Sequence, residues 1–216
     1  TIAGIAGQTI ERSQLVERLR HSVTRNEALA DFAQMVARAR TVDELAAVVV
    51  EGAAVPVGAV SAIVALVDDD TVPAAAPFAP GSAPFGVRAL EPDLPGMEAI
   101  RSGEPVVLRS LGEIAARFPD RYLDAVTGLG ATATAHLPLI GADSTPLGAI
   151  GFAWSLAPDF SPIERATLRT IADLLSQTLD RVRLGEAEHH LVASLQHRVT
   201  TPLVVPDGLE IADRYR

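Results

Sequence analysis

Residues 128–154 read GLGATATAHLPLIGADSTPLGAIGFAW, and this stretch decides the fold. Residues 132–139 predict a β-strand, because their side chains alternate between two faces. One face carries Ala133, Ala135 and Leu137, and the other carries Thr132, Thr134 and His136. Residues 141–146 have the composition of a turn, and residues 147–154 predict the returning strand. The stretch therefore predicts an antiparallel hairpin in a central sheet.

Helices are predicted on both sides of this hairpin. Residues 10–40 carry apolar side chains at spacings of three and four, and Thr41 with Glu44 forms a capping box for a second helix over residues 42–54. Ser161, followed by Pro162 and Glu164, is a strong helix start. That last helix can run to about Thr200, a length of roughly 58 Å. A domain of this size is only about 35–40 Å across, so we expect the helix to protrude.

The segment between the helices and the hairpin is richer in loops. Residues 60–67 predict a strand, with residues 71–78 as its candidate partner, and residues 73–95 contain six Pro and two Gly. Short helices are predicted at residues 95–102 and 111–118, with a short strand at 106–108 between them. The order of elements predicts an α+β fold, in which a central antiparallel sheet is flanked by helices and long helices stand at both ends.

Composition excludes several classes of function. The net charge is −9 with no basic run, which disfavours nucleic-acid binding. No apolar run approaches the ~20 residues of a membrane helix, so we expect a cytoplasmic protein. The chain contains neither Cys nor Lys, which removes thiolate nucleophiles, Cys-type zinc sites and Schiff-base chemistry. We therefore expect no catalytic residues, no metal site and no cofactor in these residues, and no enzymatic activity from them alone.

Four consecutive segments carry a family resemblance. Residues 128–140, 146–152, 160–165 and 168–179 resemble the C-terminal half of a GAF domain, and residues 28–67 resemble its start. The resemblance covers about residues 28–184. It implies a sensory or regulatory domain with a small-molecule pocket on the sheet face away from the terminal helices, and a homodimer formed through those helices. The candidate pocket residues are Phe118, Tyr122, His136, Phe152 and Trp154.

The tail carries a second resemblance. Residues 195–216 resemble the opening of a bacterial metal-dependent serine/threonine phosphatase domain of the sporulation stage II E type. The implied organisation is a signalling helix at 1–27, the GAF-like domain at 28–184, a coiled-coil linker at 185–200 and the start of the phosphatase at 201–216. The family's metal-binding aspartates lie further on, so Mg or Mn is expected only in a missing phosphatase domain. The substrate implied for the full-length protein is a phosphoprotein of the anti-sigma-factor antagonist type.

Three other readings of the same residues stay open. The stretch His197-Arg-Val-Thr-Thr-Pro-Leu203 also resembles the phosphoacceptor box of sensor histidine kinases, although Arg198 replaces the usual acidic residue. A second alternative is that the domain binds no ligand and serves only as a dimerisation spacer. His136 suits an axial haem ligand or a polar residue on the less buried sheet face. The cyclic-nucleotide signature of GAF domains and the Cys that bilins need are both absent.

In the last helix, two apolar seams indicate a partner, most simply a second copy of the chain. The first seam comprises Leu168, Ala172, Leu175, Leu179 and Val182, and the second comprises Leu184, Leu191 and Leu195. A break in heptad phase near Gly185 separates them. The opposite expectation is a helix that folds back onto the first helix of its own chain.

Overall fold

The structure is a computed structural model that describes residues 23–67 and 93–199, with side chains described as far as residue 186. The helices are α1 at residues 23–38, α2 at Val42–Gly52, α3 at Pro95–Ser102, α4 at Leu111–Arg117, α5 at Asp120–Gly128 and α6 at Pro162–Val199. The strands are β1 at Ser61–Leu66, β2 at Val106–Leu108, β3 at Ala133–Ile140 and β4 at Pro146–Trp154, and a 3₁₀ helix lies at Val55–Val57. The candidate strand at 71–78, the first part of the predicted N-terminal helix and the segment 200–216 lie outside the described residues.

The strands form one antiparallel sheet in the order β1-β4-β3-β2. The predicted hairpin is its centre, since β3 and β4 pair with each other and each also pairs with an outer strand. In this register His136 lies opposite Gly151, and Gly151 in turn lies opposite Ile63 of β1. The α+β class and the central antiparallel sheet are confirmed.

The two faces of the sheet are covered by different helices. One face packs against α1, α2 and α6 in the larger core, which includes Phe32, Val49, Leu137, Ile150 and Leu175. The other face meets α3, α4 and α5, where a smaller core forms around Leu108, Ile114 and Val126. Because consecutive residues of a strand point to opposite faces, β3 and β4 contribute to both sides.

The predicted starts of α6 and α2 are each capped by a Ser or Thr together with the Glu three residues on. The Glu164 N–H donates to Ser161 Oγ at 3.3 Å, and the Ser161 N–H donates to Glu164 Oε2 at 2.9 Å. At α2, the Glu44 N–H donates to Thr41 Oγ1 at 3.1 Å, and the Glu44 carboxylate accepts from the Arg40 N–H. These caps satisfy N–H groups that the first turn of a helix leaves free, typically worth ~1 kcal/mol each.

Helix α5 was not predicted from the sequence. It begins after Pro119 with no side-chain cap, and its sequence DRYLDAVTG contains several residues of modest helix propensity. The helix is stabilised by its packing, since Val126 is buried and Tyr122 and Leu123 lie against the smaller core. The local sequence of α5 is therefore too weak a helix signal to predict this helix, which tertiary contacts stabilise.

Helix α6 differs from the coiled-coil expectation in its first half. All five residues of the first seam are buried within their own chain, and the first four of them belong to the larger core. This seam is therefore not the surface that meets a partner. Leu184, the first residue of the second seam, is 67% exposed. Within the described ranges, no helix has the length and apolar character that crossing a membrane requires.

Gly148 is the position where the sheet tolerates no side chain. Its φ is +156°, and a Cβ built there would lie 2.1 Å from the Ala65 carbonyl oxygen of the neighbouring strand. We expect Gly148→Ala to lower the free energy of unfolding by about 3 kcal/mol, because a backbone atom rather than a mobile side chain must move. Urea denaturation followed by circular dichroism measures this change.

The matched control is Gly185→Ala in α6, where a Cβ would meet no atom within 4 Å. That substitution should raise the free energy of unfolding by about 0.5–1 kcal/mol, since Ala is the better helix former. Equal effects of the two substitutions would contradict the close approach at Gly148.

Candidate functional site

A cavity of about 140 Å³ lies between the sheet and the helices α3 and α5. Its sheet side is formed by residues of β1, β3 and β4, among them Ile63, Ala149 and Gly151. Its helix side is formed by the N-terminal end of α3 and by α5, with Pro95 and Val126. None of the described residues around it is charged. The cavity is on the face opposite α6, since its sheet residues, apart from Phe152, alternate with those of the larger core.

A chain of three polar side chains stands at one side of the cavity. The Tyr122 hydroxyl oxygen lies 2.7 Å from His136 Nε2 and 3.0 Å from Thr134 Oγ1. Thr134 and His136 are alternate residues of β3, and Tyr122 approaches them from α5. The rings of Tyr122 and His136 are tilted at 59° with centroids 6.0 Å apart. These two contacts of Tyr122 therefore connect α5 to the sheet, and all three polar side chains line the cavity.

Burial sets the charge state of both rings. Desolvation lowers the pKa of His136 to about 4, so the imidazole is neutral near pH 7. Burial also raises the pKa of Tyr122, against a smaller opposite effect of its hydrogen bond with Thr134, so the phenol keeps its proton. His136 is half-buried and lines the cavity. The site is thus polar without carrying charge.

Gly151 makes room for the imidazole. A Cβ at this position would lie 2.8 Å from both Cε1 and Nδ1 of His136, and 3.0 Å from Ile63 Cγ2. Any other residue would push the imidazole away from its place on the sheet. The Nδ1 edge of the ring therefore lies over a strand that has no side chain of its own at that point.

The five candidate residues from the sequence are placed in different surroundings. Tyr122 and His136 line the cavity and bond to each other. Phe118 ends α4 in the smaller core, where its ring meets Tyr122 edge to face. Phe152 borders the cavity from β4, while its ring belongs to the larger core. Trp154 lies in the larger core against Phe160, and its Nε1–H donates to the Val57 carbonyl oxygen at 3.1 Å.

Thr134 and Ser61 are site residues that sequence reasoning did not single out. Thr134 was assigned to the same strand face as His136, and that alternation was the available signal. Ser61 reaches the cavity from β1, on the far side of β4, and only the strand pairing reveals its position.

The arrangement suits a neutral ligand better than a metal or haem. Nε2 of His136, a common metal-binding atom, is already engaged by Tyr122 at 2.7 Å. In the ranges 23–67 and 93–186, no group of three His, Asp or Glu side chains is placed to hold a metal ion. At Nε2 the geometry therefore favours hydrogen bonding over coordination of a metal.

Comparison with known proteins agrees with this architecture. A family model described as GAF domain matches residues 39–180. The crystal structure of the GAF domain from Acinetobacter phosphoenolpyruvate-protein phosphotransferase is similar, with a TM-score of 0.55 and 16% sequence identity over 79% of this chain and 97% of that one. No curated protein matches the sequence. At this identity the structural likeness concerns the fold alone.

Stability should depend on pH through His136. An unfolded histidine takes up a proton near pH 6.5, whereas the folded protein resists protonation until about pH 4. The unfolded state therefore binds more protons in this window, and the free energy of unfolding falls as the pH is lowered from 6.5 towards 4. We expect a loss of up to ~3 kcal/mol from this one group. Thermal and urea unfolding between pH 7.5 and 4.5 measures it.

The control is His136→Gln, which keeps a polar side chain beside Tyr122 but does not titrate. The other four histidines occur in both proteins, so the difference between the two pH profiles isolates position 136. A variant that loses as much stability as the original protein at pH 4.5 would show that His136 is not held neutral by burial.

Proposed function

Because this chain belongs to the GAF domain family, whose members are generally regulatory or sensory domains, we propose that it is the sensory domain of a bacterial signalling serine/threonine phosphatase. In this proposal, a small molecule in the cavity, or a signal from an upstream domain, changes the packing of the flanking helices. Helix α6 carries that change towards the phosphatase domain.

Strands β3 and β4 have one face on the cavity and the other on the core under α6, and this observation carries the proposal. His136 faces the cavity, while its neighbours Ala135 and Leu137 belong to the core that packs on α6. Four residues after His136, the Ile140 N–H donates to Ser176 Oγ of α6 at 3.1 Å. A displacement of β3 by a ligand therefore acts directly on α6 through packed side chains and a part-buried hydrogen bond. Strand β3 is the physical connection that a sensor needs between input and output.

A ring of charged side chains holds α6 where it leaves the domain. We call Asp180, Arg181, Arg183 and Glu186 the exit collar. Its members bind backbone groups of three segments. Asp180 Oδ2 accepts from the Ala142 N–H of the hairpin turn at 2.7 Å, and Arg183 donates to the Val67 carbonyl oxygen after β1. At the junction of α1 with α2, Arg181 donates to the carbonyl oxygens of Ala37 and Ala39, and Glu186 Oε1 accepts from the Val42 N–H at 3.3 Å. The collar ties α6 to both hairpin strands through their turn, to the end of β1 and to the junction of α1 with α2. A shift in any of these segments changes the direction in which α6 continues.

Dimerisation through the helical stalk is the second part of the proposal. The second seam begins at the exposed Leu184, directly after the last buried seam residue, Val182. Because the first seam is used inside the chain, the proposed homodimer contact lies on the second seam and on the N-terminal helix. The change of seam near Gly185 supports two helix registers of similar energy.

The phosphatase context rests on the sequence resemblance of residues 195–216, to which α6 leads. The histidine kinase alternative uses His197 in the same segment. Phosphate release from a phosphoserine protein by the full-length chain with Mn²⁺, and no transfer from ATP to His197, supports the phosphatase. Phosphorylation of His197 would replace it with the kinase.

Ser176 is the residue on α6 that receives the signal in this scheme. We expect Ser176→Ala to lower the free energy of unfolding by about 1–2 kcal/mol, because it leaves the Ile140 N–H without its partner in a part-buried position. The matched control is Thr170→Ala, since the exposed Thr170 hydroxyl donates only to Ala166 O of its own helix. That change should stay within about 0.5 kcal/mol. Equal effects in denaturant titrations would remove the proposed contact from β3 to α6.

Native mass spectrometry of the purified protein tests the sensory role. The expected spectrum shows a dimer that carries an added small-molecule mass, and this mass is released on denaturation. A dimer without added mass, including after incubation with a cell metabolite extract, would favour the spacer function. A monomer at micromolar concentration would contradict the stalk contact.

A further inference from the structure

The cavity presents two polar atoms that have no hydrogen-bond partner among the described residues. One is His136 Nδ1, since the other ring nitrogen is bound to Tyr122. The second is Ser61 Oγ, on the opposite side of Gly151 and Ala153. Neither atom is completely enclosed, because no buried side-chain nitrogen or oxygen in the described part lacks a partner. Both are therefore available to a molecule inside the cavity.

The positions of the hydrogens in the chain of Tyr122, Thr134 and His136 determine whether Nδ1 of His136 is a donor or an acceptor. Tyr122 has a single hydroxyl hydrogen, so it donates either to His136 Nε2 or to Thr134 Oγ1, but not to both. If Tyr122 donates to Nε2, the proton of the neutral imidazole is on Nδ1 and points to the cavity. If Tyr122 donates to Thr134, the proton is on Nε2, and Nδ1 is a bare acceptor.

Thr134 distinguishes the two arrangements. Its side chain is 2% exposed, and Tyr122 is its one hydrogen-bond partner among the described residues. In the first arrangement the Thr134 hydroxyl donates to Tyr122, and the one hydrogen of the polar chain without an acceptor among the described residues is that on Nδ1 of His136, which faces the cavity. In the second arrangement the Thr134 hydrogen is buried with no acceptor, which is the more costly defect. The first arrangement is favoured, so His136 directs an N–H donor into the cavity.

The remaining lining limits the size and charge of a ligand. Apart from the polar chain and Ser61, the described lining consists of apolar side chains and glycine. An ion would lose its hydration without gaining an opposite charge, so a charged ligand is disfavoured. A cavity of about 140 Å³ is close to the size that holds a single six-membered ring.

We infer that the cavity binds a small, uncharged and mostly apolar molecule, about the size of one ring, whose single essential polar group is a hydrogen-bond acceptor for the Nδ1–H of His136. This inference rests on the proposed function in taking the cavity as the ligand site. A ring nitrogen, a carbonyl or an ether oxygen provides the acceptor. The Ser61 hydroxyl, which rotates to donate or accept, accommodates a second polar group without requiring it.

The tautomer of His136 tests the first step directly. Long-range ¹H–¹⁵N NMR spectra of protein labelled with ¹⁵N-histidine distinguish an Nδ1–H ring from an Nε2–H ring. We expect the Nδ1–H pattern at pH 7.5 for the signal that His136→Gln removes. An Nε2–H pattern would overturn the inference, because the cavity would then offer an acceptor instead of a donor.

Three ring probes test the ligand class at pH 7.5. Pyridine has an acceptor, benzene has no polar group, and pyrrole has an N–H donor. Ligand-detected NMR titrations should show pyridine binding at least about fivefold more tightly than benzene, with pyrrole weakest, because the hydrogen bond forms away from water. Pyrrole binding more tightly than pyridine, or no binding by any probe at millimolar concentration, would overturn the inference.

Tyr122→Phe tests the role of the polar chain. Without the hydroxyl, Nε2 loses the donor that keeps the proton on Nδ1, so pyridine binding should weaken about fivefold and the Nε2–H signal should grow. Thr127→Val is the matched control, since the Thr127 hydroxyl is on the same helix, is exposed and donates to the carbonyl oxygens of Leu123 and Asp124. It should leave both readouts unchanged. Unchanged pyridine binding and an unchanged tautomer in Tyr122→Phe would contradict the inference.

Different experimental results would show that the ligand class is wrong and that the sensory role is absent. A protein that binds pyridine at an Nδ1–H ring, but carries no added mass after incubation with a metabolite extract, supports the ligand chemistry and removes the sensory role. A protein that co-purifies with a charged or donor-only ligand in the cavity keeps the sensory role and overturns the inference.

Discussion

The alternation of side chains along β3 and β4 is the constraint on which the rest of the structure depends. Each strand is bonded on both edges, so its backbone cannot rotate to suit one face alone. A slip of one residue would place His136 in the helical core and Leu137 in the cavity. Gly148 and Gly151 also fix this register. A side chain at Gly148 would collide with the backbone of β1, and one at Gly151 would collide with the imidazole of His136. The cavity and the core under α6 are thus two consequences of one strand pairing.

A buried polar chain in an apolar cavity is stable because it carries no charge and satisfies most of its own hydrogen bonds. Desolvation keeps the imidazole of His136 neutral and the Tyr122 phenol protonated. Their contact joins the sheet to helix α5, which also packs against the smaller core through Val126 and Leu123. The same contact orients the free edge of the imidazole, so the feature that stabilises α5 also defines what the cavity recognises. On the far face, Ser176 and the exit collar connect the strands and loops to α6 through backbone groups, which do not depend on the identity of the partner side chains.

Sequence reasoning predicted the elements with strong local signals. The hairpin was predicted from its alternation and turn residues, and the starts of α2 and α6 were predicted from a Thr or Ser placed three residues before Glu. The family was recognised from the order of these elements, and the match over residues 39–180 confirms it. Helix α5 escaped notice because its local signal is weak and its stability comes from packing. The first seam of α6 was assigned to a partner because a heptad pattern records only that a helix face is buried; it does not say against what.

The sequence alone determined the strand faces and the helix starts, because these follow from neighbours a few residues apart. Its composition alone gave the net charge of −9 and the absence of cysteine. The sequence also placed Thr134 and His136 on one face and Leu137 on the other before any contact was known. Only the tertiary structure decided that Tyr122 meets His136, 14 residues later in the chain, and that Ser61 stands across the sheet from both. It also decided that Trp154 belongs to the helical core and Tyr122 to the cavity. Such pairings depend on how a helix packs on a sheet, and this packing is determined by the sum of many weak apolar contacts. No local pattern in the sequence predicts it.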